Sequence, residues 1–336
     1  MIAQKPVIAV PIGDPAGIGP EIVVKAMTHS KVADTAEVIV IGDRRIVEKA
    51  VDITGAEVEI HVIKRPCDRL IRPGIINLIE LPNIDESVFE YGAVSAMCGR
   101  AAFEYIKKSI ELALNQEADA VATAPINKES LHAAQVPFIG HTEIFAALTD
   151  TPDPLTMFET NGLRIFFLTR HKSIRDMLQD ITKDNIKNCI KKCTESLRRL
   201  GVAKGTMAVA GLNPHCGEHG LFGWEEVNEI APAVEELRSE GYDVAGPVSA
   251  DSVFHQAAAG RYNSVLALYH DQGHIAAKTL DFERTVSITN GMPILRTSVD
   301  HGTAFDIAGK GIASETSMVE AIMIAAGYAP SYCFKE

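Results

Sequence analysis

Apolar, β-branched runs alternate along the chain with stretches whose apolar positions recur at helical spacing. "VIAVP" (7–11) predicts a buried strand, followed by a Gly/Pro turn and a helix from about Pro20. "EVIVIGD" (37–43), "EVEIHVI" (57–63), "INLIE" (76–80) and "DAVATAP" (119–125) predict further strands, and 93–116 is the longest helix candidate. "RIFFLT" (164–169) follows the turn signal Asn161-Gly162, and Thr182 starts a helix that Gly201 ends. "TMAVAGL" (206–212), "SVLALY" (264–269) and "TVSIT" (285–289) predict strands, while 224–240 and 316–328 predict helices. Alternation on this scale predicts an α/β architecture with a largely parallel sheet. No repeat, low-complexity tract or Pro/Ser-rich linker interrupts it. A chain of 336 residues suits two compact units. Without a linker, these must share strands or be joined by tight crossings, which favours a cleft between them.

Composition narrows the partners. Hydrophobic residues make up 46% and charged residues 23%, ordinary for a globular protein, and the net charge is −12. That balance argues against nucleic acid or an anionic membrane as the main partner. An anionic substrate would need a few local cations to overcome it. No apolar run approaches the roughly 20 residues of a membrane span. The N-terminal stretch does not read as a signal peptide, because its short apolar part runs into a glycine-rich turn. Six cysteines are scattered without a CxxC pair, and Cys189 and Cys193 share a helical stretch. These features predict packing, reduced thiols and a cytoplasmic location.

In α/β sheets, ligands bind beyond the carboxyl ends of the strands. His171, His215 and His270 each fall just past a predicted strand. Each alone would merely close its strand, but three imidazoles with one open position suit Zn²⁺ or a similar divalent ion. His219 and His274 are nearby competitors. Asp251 and Asp271 are candidate carboxylates for fixing an imidazole tautomer, or simple turn and cap residues. "GDPAGIGPE" (13–21) lacks the GxGxxG spacing of a dinucleotide turn and reads as a tight strand–helix turn. "GHTE" (140–143) puts His141 and Thr142 at a helix start, where Thr142 either caps the helix or, with His141, grips phosphate. Lys128, Lys278 and Arg296 are cations in polar settings. Arg296 could grip a carboxylate or phosphate with both prongs, or form a structural ion pair.

"GDPAGIGPE", "TAPINKE", "PFIGHTE", "GLNPHCGEHGLFG", "ALYHDQGH" and "ILRTSVDHGTAFDIAGKG" occur in this order. Over residues 7 to 327 the chain resembles the 4-hydroxythreonine-4-phosphate dehydrogenases and their paralogue acting on 4-phospho-D-threonate or 4-phospho-D-erythronate. The resemblance implies an isocitrate/isopropylmalate-dehydrogenase-like fold of two α/β domains around a cleft. It assigns 1–130 with 300–336 to the domain carrying much of the NAD site, and 131–299 to the domain with the metal ligands and dimer interface. It implies a homodimer with shared active sites. The divalent metal (Zn²⁺ foremost, with Mn²⁺, Co²⁺ or Mg²⁺ as alternatives) is held by His171, His215 and His270, the last from the partner subunit. Substrate contacts fall on His141, Thr142, Lys278, Ser287 and Arg296. Lys278 and Asp251 are the candidate catalytic groups. NAD contacts fall on Asp300, Gly302 and Asp306, because "DHGTAFDIAGKG" (300–311) is similar to the adenine-binding loop of isopropylmalate-type dehydrogenases. Two departures stand out. Ser287 replaces the family asparagine, and Asn127 stands where the biosynthetic enzymes carry histidine.

The implied reaction is NAD-dependent oxidation of the C3 hydroxyl of a 4-phosphorylated four-carbon acid. Decarboxylation of the β-keto acid then gives dihydroxyacetone phosphate and CO₂. Asn127 and Ser287 favour the hydroxy acids over 4-hydroxy-L-threonine 4-phosphate, the pyridoxal phosphate precursor. Rival readings are a phosphate acyltransferase on the same fold, a non-enzymatic phosphometabolite sensor, and an isopropylmalate-type enzyme whose Mg²⁺ is held by aspartates.

Overall fold

The computed structural model describes residues 5–202 and 204–332. Its strands are β1 (Val7–Pro11), β2 (Glu37–Gly42), β3 (Glu59–Ile63), β4 (Ile75–Glu80), β5 (Ala120–Thr123), β6 (Leu155–Thr160), β7 (Leu163–Phe167), β8 (Met207–Ala210), β9 (Val244–Val248), β10 (Ser264–Ala267), β11 (Val286–Asn290) and β12 (Arg296–Val299). Contacts divide the chain into two compact units. The described residues up to Pro154, with those from Val286 onward, form the first, and Leu155–Thr285 form the second.

The sequence placed the junctions at 130/131 and 299/300. The structure moves the helix His141–Leu148 and the strands β11 and β12 into the first unit. The reason is strand pairing. β12 lies parallel to β5, with Arg296 opposite Val121 and Ser298 opposite Thr123, and β11 pairs antiparallel with β12. The sheet of the first unit thus runs β3-β4-β2-β1-β5-β12-β11. All five residues of β1 are buried, as a parallel strand covered on both faces requires. Ile22 from helix Gly19–Met27, Ile46 from Arg44–Thr54, and Tyr105 and Ile106 from Ala96–Leu114 close the core.

The second unit runs β6-β7-β10-β8-β9. β6 and β7 form an antiparallel hairpin across Asn161 (φ 49°) and Gly162 (φ 83°), the positive-φ pair that matches the twist of a two-residue hairpin. The remaining pairs are parallel. Phe158, Ile165, Phe167, Ala208, Val253 and Val265 share one core. Thr182 caps the helix Lys183–Arg199 by accepting from the Asn185 N–H, and Ile186, Ile190, Cys193 and Leu197 form its buried stripe. Cys193 is therefore a packing residue, and its thiol lies 3.8 Å from that of Cys189. None of the described cysteines is in a disulfide, and Cys333 lies outside the described residues. No helix among the described residues is long and apolar enough to cross a membrane.

Three strands escape the sequence pattern. β9 reads VAGPV, with a glycine and a proline on an edge strand, where a missing donor is tolerated. β12 reads RTSV, polar yet fully buried. In β6, LTMFET mixes polar and apolar residues on both faces. The helix expected over 224–240 is broken into a π turn, Glu226–Ile230, and an α-helix, Ala231–Ser239. Pro232, which lacks an N–H, falls at the junction and starts the second piece.

Candidate active site

In the second unit β7, β10 and β8 are parallel neighbours, so their carboxyl ends open on one edge. His171, His270 and His215 all emerge there. The rings of His171 and His270 lie 5.8 Å apart, centre to centre, and line a cavity of about 330 Å³ with Arg170, Lys172, Tyr269 and Asp271. His270 is the first residue of the helix His270–Leu280. Its Nδ1 is 2.7 Å from Asp271 Oδ1, an arrangement that turns Nε2 toward whatever the ring would bind. His274 stacks beneath it at 3.6 Å and reaches the His270 carbonyl through Nδ1 at 2.9 Å. Phe158 and Phe167 wedge His274 in turn. His274 is thus a buttress for its neighbour.

The resemblance takes His270 from the partner subunit, whereas here the rings of His171 and His270 already neighbour each other within one chain. Among the described residues no third His, Cys, Asp or Glu joins them into a metal-holding group. His215 sits on a turn of unusual shape. His215, Cys216, Gly217, Glu218 and His219 all have positive φ, between 43° and 74°. Asp251, in the first turn of helix Ala250–Ala258, lies close enough to Cys216 to help raise its thiol pKa, after burial and Glu226. Gln272 ties two of the three strand ends together. Its amide donates to the Gly211 carbonyl at 2.8 Å and accepts from the Leu268 N–H at 2.7 Å. Lys278, on the same helix as His270, holds its ammonium 5.1 Å from the centre of the Phe282 ring.

The first unit contains a second cluster. Arg296 is 3% exposed. Its guanidinium donates to Thr123 Oγ1 (3.0 Å from Nη2) and Thr289 Oγ1 (2.8 Å from Nη1), and lies over the Phe145 ring at 5.0 Å. Both hydroxyls are neutral, and Glu143 acts on the guanidinium only as a nearby charge. Burial therefore pulls the guanidinium pKa down to about 9. Among the described residues Arg296 bonds to these hydroxyls rather than to the carboxylate of a structural ion pair. His141 opens the helix His141–Leu148, whose N-cap is Gly140. Thr142 is therefore not the cap, and the first-turn N–H groups remain available to a ligand. His141 Nε2 is enclosed and has no hydrogen-bond partner among the described residues. Burial, helped by the Arg296 charge, holds the imidazole well below its usual range and so neutral. Ser287 sits half-buried on β11. Asn127 caps the helix Lys128–Ala133 by accepting from the Ser130 N–H at 2.8 Å.

The loop 300–313 is held by residues the sequence reading did not single out. Glu21 is 1% exposed, and its carboxylate accepts from the Gly309 N–H at 2.6 Å and the Gly311 N–H at 2.7 Å. One helical turn on, Lys25 donates to the carbonyls of Gly311 (2.8 Å) and Ala313 (2.7 Å). Ile18 N–H meets the Thr303 carbonyl at 3.0 Å, and a Cβ on Gly17 would come within 2.8 Å of Thr303. "GDPAGIGPE" is thus the cradle of this loop. Gly302 and Asp306 are exposed on it, and a Cβ on Gly302 would meet nothing within 4 Å. Asp300 lies at the start of the same loop, half-buried.

The family model described as pyridoxal phosphate biosynthetic protein PdxA matches residues 34–325. The chain belongs to the PdxA family. A candidate D-threonate 4-phosphate dehydrogenase of Fusobacterium nucleatum is 59% identical over 325 residues, covering 97% of this chain and 98% of that protein. One from Clostridium botulinum is 58% identical, covering 99% of each. Among solved structures, a 4-hydroxythreonine-4-phosphate dehydrogenase from Klebsiella pneumoniae superposes with a TM-score of 0.89 at 41% identity, covering 98% of this chain and 99% of that one.

Proposed function

We propose that this PdxA-family chain is a dehydrogenase that oxidises the C3 hydroxyl of 4-phospho-D-threonate or 4-phospho-D-erythronate with NAD, and that the β-keto acid loses CO₂ to give dihydroxyacetone phosphate. The observation that carries the reading is Arg296, a buried cation surrounded by neutral hydroxyls beside a neutral histidine. An enclosed guanidinium without a charged partner is costly unless an anion joins it. The phosphate or carboxylate of the substrate supplies that anion, with His141 and Thr142 contributing hydrogen bonds and Ser287 a hydroxyl from β11. Relatives at 58–59% identity are named for D-threonate 4-phosphate, against 41% for the Klebsiella 4-hydroxythreonine enzyme. That difference favours a hydroxyl over an amine at C2.

A divalent ion, Zn²⁺ foremost, would be held by His171, His215 and His270 of two copies and would supply Lewis-acid polarisation of the substrate; NAD would be held by the loop of Asp300, Gly302 and Asp306 and would supply the hydride acceptor. Around them this chain's residues hold and move protons. Asp251 and Lys278 act as general acid/base groups. The C3 hydroxyl proton leaves to a base as the C3–H bond breaks. The C1–C2 bond then breaks, its electron pair stays on C2, and Lys278 returns a proton to C2. A second copy is supported by the apolar side chains the second unit exposes near these groups: Leu221, Phe222, Trp224, Ile275 and Phe282.

Incubation of the purified protein with NAD, a divalent metal and each of three substrates tests the reading through NADH absorbance. The two phospho-hydroxy acids should give NADH, CO₂ and dihydroxyacetone phosphate at least about tenfold faster, by kcat/KM, than 4-hydroxy-L-threonine 4-phosphate. The reverse order would assign the chain to the amine substrate, and no NADH with any of them would point to an acyltransferase or a sensor.

A further inference from the structure

We propose that Glu226 is a positioning residue that holds the turn carrying His215 in its metal-binding shape. This rests on His215 being a metal ligand, as proposed above. Five consecutive residues, His215–His219, are left-handed, and four of them are not glycine. The left-handed conformation is disfavoured for an L-residue because Cβ crowds the following carbonyl oxygen. Such a turn persists only where its surroundings over-determine it.

Glu226 is what over-determines it. Its carboxylate is buried, with the residue 2% exposed. Oε1 accepts from the Leu212 N–H at 2.7 Å and the Asn213 N–H at 2.6 Å, and Oε2 accepts from Asn213 Nδ2 at 2.9 Å. These bonds fix the point where the chain enters the turn. Oε2 also fills the space above Gly217, where a Cβ would come within 2.8 Å of it. One carboxylate thus governs both the entry and the middle of the turn. Glu226 begins the π turn Glu226–Ile230, a rare wide turn that recurs at functional sites. Asn213 Nδ2 is held from its other side by Glu225 at 2.7 Å, so the entry point cannot swing freely. Groups behind a metal ligand typically contribute 10–100-fold to metal affinity.

The test is titration of metal-free protein with Co²⁺ alone, read by the visible d–d absorption, for wild type, Glu226→Gln and His215→Ala. Glutamine keeps the shape but turns an amide NH₂ toward donors. Glu226→Gln should weaken Co²⁺ binding about 10–100-fold and alter the band, while circular dichroism stays native. If His215→Ala weakens binding and a folded Glu226→Gln matches wild type in affinity and band, the positioning role is wrong and the ligand assignment stands. If His215→Ala itself binds Co²⁺ like wild type, the ligand assignment falls and this inference falls with it. Should Glu226→Gln not fold, Glu226→Asp, which keeps the charge but withdraws it by one methylene, is read by the same criterion.

Discussion

Asp14 shows how burial sets the charge state of a single carboxyl group. It is fully enclosed, accepts from the Ala16 N–H at 2.9 Å, and leaves Oδ2 without a partner among the described residues. Burial raises its pKa from 3.8 to about 6, partly offset by the Ala16 N–H bond and the nearby Ser130 hydroxyl. A folded-state value above the unfolded one means the native protein holds the proton longer. Stability from this group is fully present below pH 3.8 and lost as pH rises through about 6. By pH 8 the loss approaches about 3 kcal/mol. Asp14→Asn should therefore raise the unfolding free energy at pH 8 by roughly that amount and change little near pH 3.5, as read by urea denaturation at each pH. Equal effects at both pH values would contradict the assignment. At this scale the sequence revealed residue types but not environments. Arg296 was legible as an anion-binding candidate, yet its setting among threonines was not, because one of them, Thr123 on β5, lies 173 residues away in sequence while Thr289 comes from the adjoining β11. Thr142 looked like a cap because hydroxyls favour that position, whereas the chain uses Gly140.

At the scale of elements, "GDPAGIGPE" was legible as a tight turn but not as a cradle, because its partner loop lies nearly 300 residues later. Glu21 and Lys25 sit one turn apart on the same helix and grip opposite polarities of that loop: N–H groups for the carboxylate, carbonyls for the ammonium. Hydrogen bonds to a charged group contribute roughly 1.5–3 kcal/mol each. Glu21→Gln should loosen the loop, raising KM for NAD about tenfold or more while kcat changes less than about threefold, by steady-state kinetics with NAD varied. An unchanged KM would detach the loop from cofactor binding. The strands with β-branched runs were readable because a doubly covered parallel strand is apolar throughout. β12 was not, because its polar residues sit in the core with partners the sequence does not reveal, such as the Ala321 carbonyl that accepts from Thr297. The left-handed turn at His215 was equally invisible. Only Gly217 among its five residues is a type that favours that conformation.

At the scale of the whole molecule, a net charge of −12 must be reconciled with an anionic substrate. The proposed function meets it with local cations, and Arg296 and Lys278 each lie against an aromatic ring, Phe145 and Phe282. The strand-end histidines were legible as a candidate site because ligands of α/β proteins gather at that edge. In the proposed function they close around an ion between two copies of the chain. His171 and His270 approach each other within a chain, while no third acidic, thiol or imidazole group among the described residues joins them. The account therefore stands on imidazoles of two copies meeting at one divalent cation. The most direct measurement is an anomalous-difference map at the zinc edge from crystals grown with Zn²⁺. The account predicts one strong peak per active site, about 2.0–2.1 Å from a nitrogen of each of His171, His215 and His270, with ligands drawn from two chains. A peak bound by aspartates alone, or by three imidazoles of a single chain, would contradict it.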